Sequence, residues 1–256
     1  MRRFTLALAA ASAFAITAAP VLAQESEAIT AAVAKPDRPE AARVQDENRK
    51  PVEVLAFLGL EEGMVAADLL PGAGYWTEIM AHIVAPTGSV LAFQPEQFAS
   101  GEEAIAAWDA LKGRAPGVTQ IIFPFSDFAP EAESFDFAMM SLNYHDIYWE
   151  SERFQIPRSD PDAFVAVLYA AMKPGGIVGI IDHTGEPGDT RAIVDATHRI
   201  DPAVVRADFE RAGFVLADES DMLANPEDDL SVSVFDPSIR GRTDRFVMKF
   251  VKPMES

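Results

Sequence analysis

The sequence predicts an α/β fold built on a mostly parallel sheet, and three observations carry that expectation. Short apolar runs alternate with helical segments from residue 64 to residue 181, the pattern left by parallel strands joined through crossover helices. Pro86, Gly88, Pro116, Gly117, Pro174, Gly175 and Gly176 mark the entries to three of the runs, as turn residues do. The run that opens at Met64 is apolar until it closes at Asp68, which suits a strand covered on both faces.

At the N-terminus, Arg2 and Arg3 precede an alanine-rich apolar stretch, and Val21-Leu22-Ala23 offers small residues where a signal peptidase reads. Residues 1–23 are therefore expected to be a signal peptide, with a membrane anchor disfavoured because the run is short and alanine-rich. The expected location is the periplasm or the exterior, with no stable membrane insertion after the signal is removed. Residues 24–39 carry Ala, Glu, Lys and Pro without a sustained apolar face and read as a flexible leader. Residues 40–256 are read as one domain, since 49% hydrophobic composition over this length supplies a substantial core. The chain has no cysteine, so no disulfide contributes to its stability.

Within the domain, 40–48 reads as a helix and 52–58 as a second one, stopped by Gly59; both are expected to cover the sheet edge. Met64 to Asp68 is the first strand, Gly72 and Gly74 allow a tight turn, and residues 77–84 resume with helical spacing. Strands are expected at 89–93, 119–123, 135–142 and 177–181, with helices at 102–111 and 162–172 between them. Beyond them, 202–212 reads as a helix, and 214–219 and 245–251 as two strands pairing antiparallel across an acidic loop.

The formal charge is −19, and losing Arg2 and Arg3 with the signal takes it to −21. Such a surface repels phosphate backbones, which disfavours nucleic acid and anionic lipid as partners. Arg240, Arg242 and Arg245 form a local basic cluster, which is read as a solvated loop pairing with nearby acids while leaving a small anionic ligand open.

The motifs resemble those of class I S-adenosylmethionine-dependent methyltransferases from about Val54 to Pro253. Asp68, Leu70, Gly72 and Gly74 stand at the positions of the acid and three alternating glycines of that family's first motif, with Leu70 a departure. Phe135-Asp136-Phe137-Ala138 and Lys173-Pro174-Gly175-Gly176 are similar to the entries of its fourth and fifth strands. Asp-Leu-x-Pro-Gly-x-Gly-Tyr, Asn-Tyr-His-Asp, Asp-His and His-Arg-Ile-Asp resemble, more narrowly, a bacterial group of predicted exported methyltransferases. The resemblance implies a Rossmann-like seven-stranded sheet ordered 3-2-1-4-5-7-6 with helices on both faces, S-adenosyl-L-methionine as cofactor and a small-molecule acceptor. It places the cofactor against Asp68, Gly72, Gly74, Tyr75, Asn143 and Asp127. The ribose-binding acid of the family corresponds to Gln94, so either the Gln94 amide or Glu96 is expected to serve there.

In such a sheet the chemistry belongs beyond the carboxyl ends of the strands. Asn143-Tyr144-His145-Asp146 and Asp182-His183 fall there, making His145, His183 and Asp146 the candidate catalytic residues, as base or substrate contact. The alternative for the histidines is hydrogen bonding to loop backbone. A divalent ion on Asp146 and Asp182 is a minor alternative, because the set fits no strong ligand spacing. Tyr144, Tyr148, Trp149 and Phe154 read equally as a lid over substrate or as core. A non-catalytic exported binder of the cofactor is the competing function. A nicotinamide dehydrogenase is disfavoured because the third glycine of its fingerprint would fall at Thr77.

Overall fold

A computed structural model of the protein describes residues 27–254; the expected signal peptide lies outside the described residues. The sheet has seven strands in the order β3-β2-β1-β4-β5-β7-β6, the order the resemblance implied. The strands are β1 (Val65–Leu69), β2 (Ser89–Pro95), β3 (Val118–Phe123), β4 (Phe135–Ser141), β5 (Met172–His183), β6 (Val215–Ser220) and β7 (Arg245–Val251). The first five pair in parallel, and β7 runs antiparallel between β5 and β6.

Alternation along the strands divides the core into two layers. Ala67, Leu69, Ala138, Met140, Val178 and Ile180 face one layer, shared with α7 (Pro161–Ala171) and α9 (Pro202–Ala212). Ala66, Phe137, Met139 and Ile181 face the other. That layer is completed by α4 (Pro51–Leu58), α5 (Tyr75–Val84) and α6 (Glu102–Arg114).

Local chemistry sets the helix starts. Asp160 accepts hydrogen bonds from the amides of Asp162 and Ala163 at the start of α7, and Asp201 from Ala203 at the start of α9, each with proline as the first helical residue. Gly213 ends α9 in the left-handed conformation. A further helix, α8 (Thr190–Thr197), is capped by Asp189; at two turns, it has too short a periodic signal to separate from the loop around it.

Two expectations at the N-terminal side are corrected. Residues 27–33 form a helix, α1, and pack inward with Ile29 1% and Ala32 2% exposed, where a flexible leader was expected through residue 39. Ile29, Ala32 and Val33 share one short apolar face at helical spacing, and they join the layer that holds Ile79 and Ile83. The guanidinium of Arg38, also buried, donates to both carboxylate oxygens of Asp46 at 2.9 Å. The single helix expected over 40–48 is two single turns, α2 (Glu40–Arg43) and α3 (Asp46–Arg49). Neither buries a residue; the break between them leaves Asp46 to accept from Arg38 and from the Tyr75 hydroxyl at 2.7 Å.

If α1 is part of the folded domain, Ile29→Ala should lower the free energy of unfolding by about 2–4 kcal/mol, read from the denaturant midpoint. A loosely held leader would show no change.

Candidate functional site

The turn after β1 is built by backbone conformation. Leu70 has φ 56°, Gly72 φ 57° and Gly74 φ 77°, all in the left-handed region that a Cβ disfavours. Leu70 thus adopts a left-handed conformation at the position where the resembled motif has its first glycine. The Asn143 carboxamide donates to the carbonyls of Leu69 and Leu70 at 3.0 and 2.8 Å, and the Leu70 amide donates to Phe93 at 3.0 Å. These bonds hold the strained residue in place. The indole of Trp108 donates to the Gly72 carbonyl at 3.2 Å, bracing the turn from α6.

Gly72 and Gly74 do different jobs. Gly72 is exposed, with no atom within 4 Å of where a Cβ would stand, so its bare backbone faces open space. Gly74 is buried, and a Cβ there would overlap Leu111 and stand 3.3 Å from Trp108. The expectation that both glycines present backbone to a ligand is therefore corrected: Gly74 lets α6 approach α5.

Gly72 opens onto a cleft of about 380 Å³ at the carboxyl ends of β1, β2 and β4, lined by Arg49, Asp68, Tyr75, Trp76, Gln94, Phe98, Asn143 and Asp146 among others. Asp68, Gly72, Tyr75, Gln94, Asn143 and Asp146 are thus brought together as expected. Glu96 and Asp127 are not: both are exposed, Glu96 in a 3-10 turn and Asp127 in a loop turn, and neither lines the cleft. β2 continues through Pro95, carrying Gln94 into the cleft and Glu96 past its rim.

Three polar atoms in this lining are buried without a partner: Trp76 Nε1, Gln94 Oε1 and Asn143 Oδ1. The Asn143 assignment follows from its two donated bonds, which fix the nitrogen and leave the oxygen as the free acceptor. Buried polar atoms carry a desolvation cost unless something bonds to them, so the residues lining the cleft hold two acceptors and one donor that the protein leaves unused. Burial raises the Asp68 carboxyl to about 7, against the lowering influence of the Thr77 hydroxyl, which donates to it at 2.5 Å, and of Arg49. Burial also raises Asp146, to about 6, with His145 lowering it and Asp182 raising it.

His145 does not line the cleft. It is 3% exposed, its Nδ1 donates to Asp182 at 2.8 Å, and its Nε2 stands 3.4 Å from Asp146. Burial opposes a charged ring, but the two carboxylates outweigh it and raise the imidazole to about 9. Both ring nitrogens are thus engaged by carboxylates, which favour the charged ring, and neither the cleft nor the chamber beside it is lined by His145. Asp182, wholly buried, also accepts from the amides of His145 and His183 at 2.8 Å, so the pair clamps the loop after β4 to the end of β5. The expected role of His145 as a base is corrected on this ground.

His183 lines a second chamber of about 500 Å³ that shares Gln45, Arg49 and Leu142 with the cleft as a common wall. Its pKa is pushed well below the ordinary value by burial and by the cations of His145, Arg245 and Arg199. The ring is neutral but a weak base. Among the described residues, no group of three or more His, Cys, Asp or Glu side chains is placed to hold a metal ion.

The aromatic segment after β4 is mostly core. Tyr144 and Tyr148 donate to buried Asp208 at 2.7 and 2.5 Å, and only Phe154 is substantially exposed. Sequence reading did not anticipate Arg49 or Trp76 in the lining. Trp76 follows Tyr75 directly and was legible from that adjacency, whereas Arg49 stands on a segment read as edge cover.

Two outcomes follow. Gly72→Ala should cost about 1–2 kcal/mol, the left-handed penalty alone, whereas Gly74→Ala should cost about 3 kcal/mol because overpacking against α6 adds to it; equal losses in urea melts would remove Gly74 from the α5–α6 contact. For His145, the folded value above the ordinary 6.5 means that its stabilisation is full below about 6.5 and lost as pH rises through about 9. Relative to His145→Gln, the parent chain should lose its advantage over that window in pH-dependent melts.

No protein-family model matches the chain, and no curated protein does. Solved structures do match. A SAM-dependent methyltransferase from Aquifex aeolicus has TM-score 0.56 and 20% identity over 89% of this chain and 98% of that one. An S-adenosylmethionine-dependent methyltransferase from Mesorhizobium loti has TM-score 0.55 and 17% identity over 81% and 99%. The [4+2]-cyclase SpnF has TM-score 0.56 and 15% identity over 87% and 86%. At these identities the likeness concerns architecture: the chain has the seven-stranded fold of the class I S-adenosylmethionine-dependent methyltransferases.

Proposed function

We propose that the protein is an S-adenosyl-L-methionine-dependent methyltransferase acting on a small molecule, exported to the periplasm or beyond. The observation that carries the reading is the set of unpartnered buried atoms at Trp76, Gln94 and Asn143 around the open backbone of Gly72. Gln94 Oε1 is an acceptor for a ribose hydroxyl, and Asn143 Oδ1 is one for an ammonium or hydroxyl. Asp68 and Asp146 bring carboxylates to a cleft suited to a cation. When bound, S-adenosyl-L-methionine supplies an electrophilic methyl group on a sulfonium. The chain's contribution is alignment and exclusion of water: the clamp of Asp182 on His145 positions the loop that carries Asn143 and Asp146, and His183 faces the adjoining chamber where an acceptor fits. Export is supported by Arg2, Arg3 and the apolar stretch that follows them.

A second reading, an exported non-catalytic binder of the same ligand, is favoured by the state of the histidines. His145 is held charged and His183 only weakly basic, so an acceptor that must first lose a proton finds little help. The fold itself accommodates other activities, as the name of SpnF indicates.

Calorimetric titration with S-adenosylmethionine, S-adenosylhomocysteine and NAD tests both readings. Binding of the two adenosyl compounds with methyl transfer to some member of a metabolite panel supports the first, and binding without transfer supports the second. Uptake of NAD alone would exclude both. Because Asp68 becomes anionic above about 7, affinity for the cationic S-adenosylmethionine should rise between pH 6 and 8. In Asp68→Asn that rise should shrink to the smaller contribution of Asp146.

A further inference from the structure

The chamber beside the cleft is basic in a strongly acidic protein. Its wall includes Arg49, Arg240, Arg245 and His183 and no acidic residue, although the chain carries 40 acidic against 21 basic side chains. The sequence suggested that Arg240, Arg242 and Arg245 are solvated and paired with acids. The structure keeps Arg240 and Arg242 exposed to solvent and buries Arg245, and among the described residues none of the three pairs with a carboxylate. Arg245 is 5% exposed and donates only to neutral oxygens, those of Thr243, Asn48 and Gly241, at 3.1, 3.0 and 2.6 Å. The Arg49 guanidinium makes no direct ion pair among the described residues, although the charges of Asp68 and Asp46 reach it, and lies 4.4 Å over the Tyr75 ring. Asp182, whose field reaches Arg245, is itself buried and engaged by the His145 ring and by two backbone amides.

Clustered cations without counter-ions carry a cost. Burial and the nearby charge of Arg49 lower Arg245 to about 10, against the opposing influence of Asp182. An oxyanion would relieve that repulsion, and guanidinium groups match the planar geometry of its oxygens. Val234 and Phe235 add an apolar side to the same wall, enough to take the hydrocarbon body of a small molecule.

We propose that the methyl acceptor is a small amphiphilic molecule bearing an oxyanion, a carboxylate or a phosphate monoester, held in this chamber by Arg240, Arg245 and Arg49. The assignment rests on the methyltransferase reading of the adjoining cleft. Arg49 stands on the shared wall and can meet an anionic group from either side. Arg240 and Arg245 line the chamber and not the cleft; Arg245 also borders two neighbouring cavities, so Arg240 is the residue that reports on the chamber.

The test separates the two assignments. The full chain is first titrated with S-adenosylhomocysteine, then, saturated with it, with benzoate, phenyl phosphate and the neutral benzyl alcohol. Arg240 is exposed and has no partner to lose, so Arg240→Glu should fold normally and keep S-adenosylhomocysteine affinity within about twofold. Both anions should bind at least about tenfold more tightly than benzyl alcohol, and Arg240→Glu should remove about tenfold of that, with Arg240→Lys restoring part. The stronger of the two anions names the class of oxyanion. If S-adenosylhomocysteine binds but the anions show no preference over benzyl alcohol, or Arg240→Glu leaves them unaffected, the oxyanion assignment is overturned and the methyltransferase reading stands. If S-adenosylhomocysteine fails to bind, the chamber is not an acceptor site whatever the anions do.

Discussion

The carboxamide of Asn143 joins the ends of the two central strands, donating to the carbonyls that close β1, and the site depends on that tie. Each of these bonds contributes about 1 kcal/mol net. They act on a corner where Leu70 and Leu142 both have positive φ, at 56° and 61°, each at a cost of about 1–2 kcal/mol. A strained corner persists when its surroundings over-determine it. Here the surroundings are Asn143 on one side and the amide of Leu70 bonded to β2 on the other. The same arrangement turns the Asn143 oxygen into an acceptor that the protein leaves unused, so the tie that builds the turn also presents a binding group.

A second tie, Asp182 to His145, fixes the loop that carries Asn143. It is a buried ion pair whose carboxylate is saturated by the ring and by two backbone amides, the condition under which such a pair is kept rather than destabilising. The ring gains a charge and loses any use as a base. The histidine next in the chain, His183, is driven the opposite way, first by burial and then by the charges of His145, Arg245 and Arg199. Two histidines at the sheet end therefore differ because carboxylates face one ring, whereas burial and cations act on the other.

Charge is segregated across a thin wall. Asp68 and Asp146 line the cleft, arginines line the chamber, and Arg49 stands between them over the ring of Tyr75. A cationic ligand on one side and an anionic one on the other would each meet opposite charge. The net charge of −19 gives no hint of this, because fields at close range are set by neighbours within a few ångströms and not by the total.

The architecture was legible in the sequence because it follows from periodicity and local chemistry. Alternating apolar runs, prolines opening α4, α7 and α9, and glycines closing α4 and α9 act over a few residues and need no knowledge of distant partners. The cleft was partly legible through the resemblance, which implied Asp68, Gly72, Tyr75 and Gln94 at or just beyond the ends of β1 and β2. Tertiary structure decided the rest. Whether Gly74 faces a ligand or α6 depends on Leu111 and Trp108, more than thirty residues away. Whether His145 is a base or a clamp depends on Asp182. Ile29 counts as core only once a sheet exists for α1 to cover, and Arg245 becomes a buried cation only when β7 is inserted beside β5. Sequence alone determined which elements form; through-space contacts between them determined which charges survive burial, and hence what the two cavities can hold.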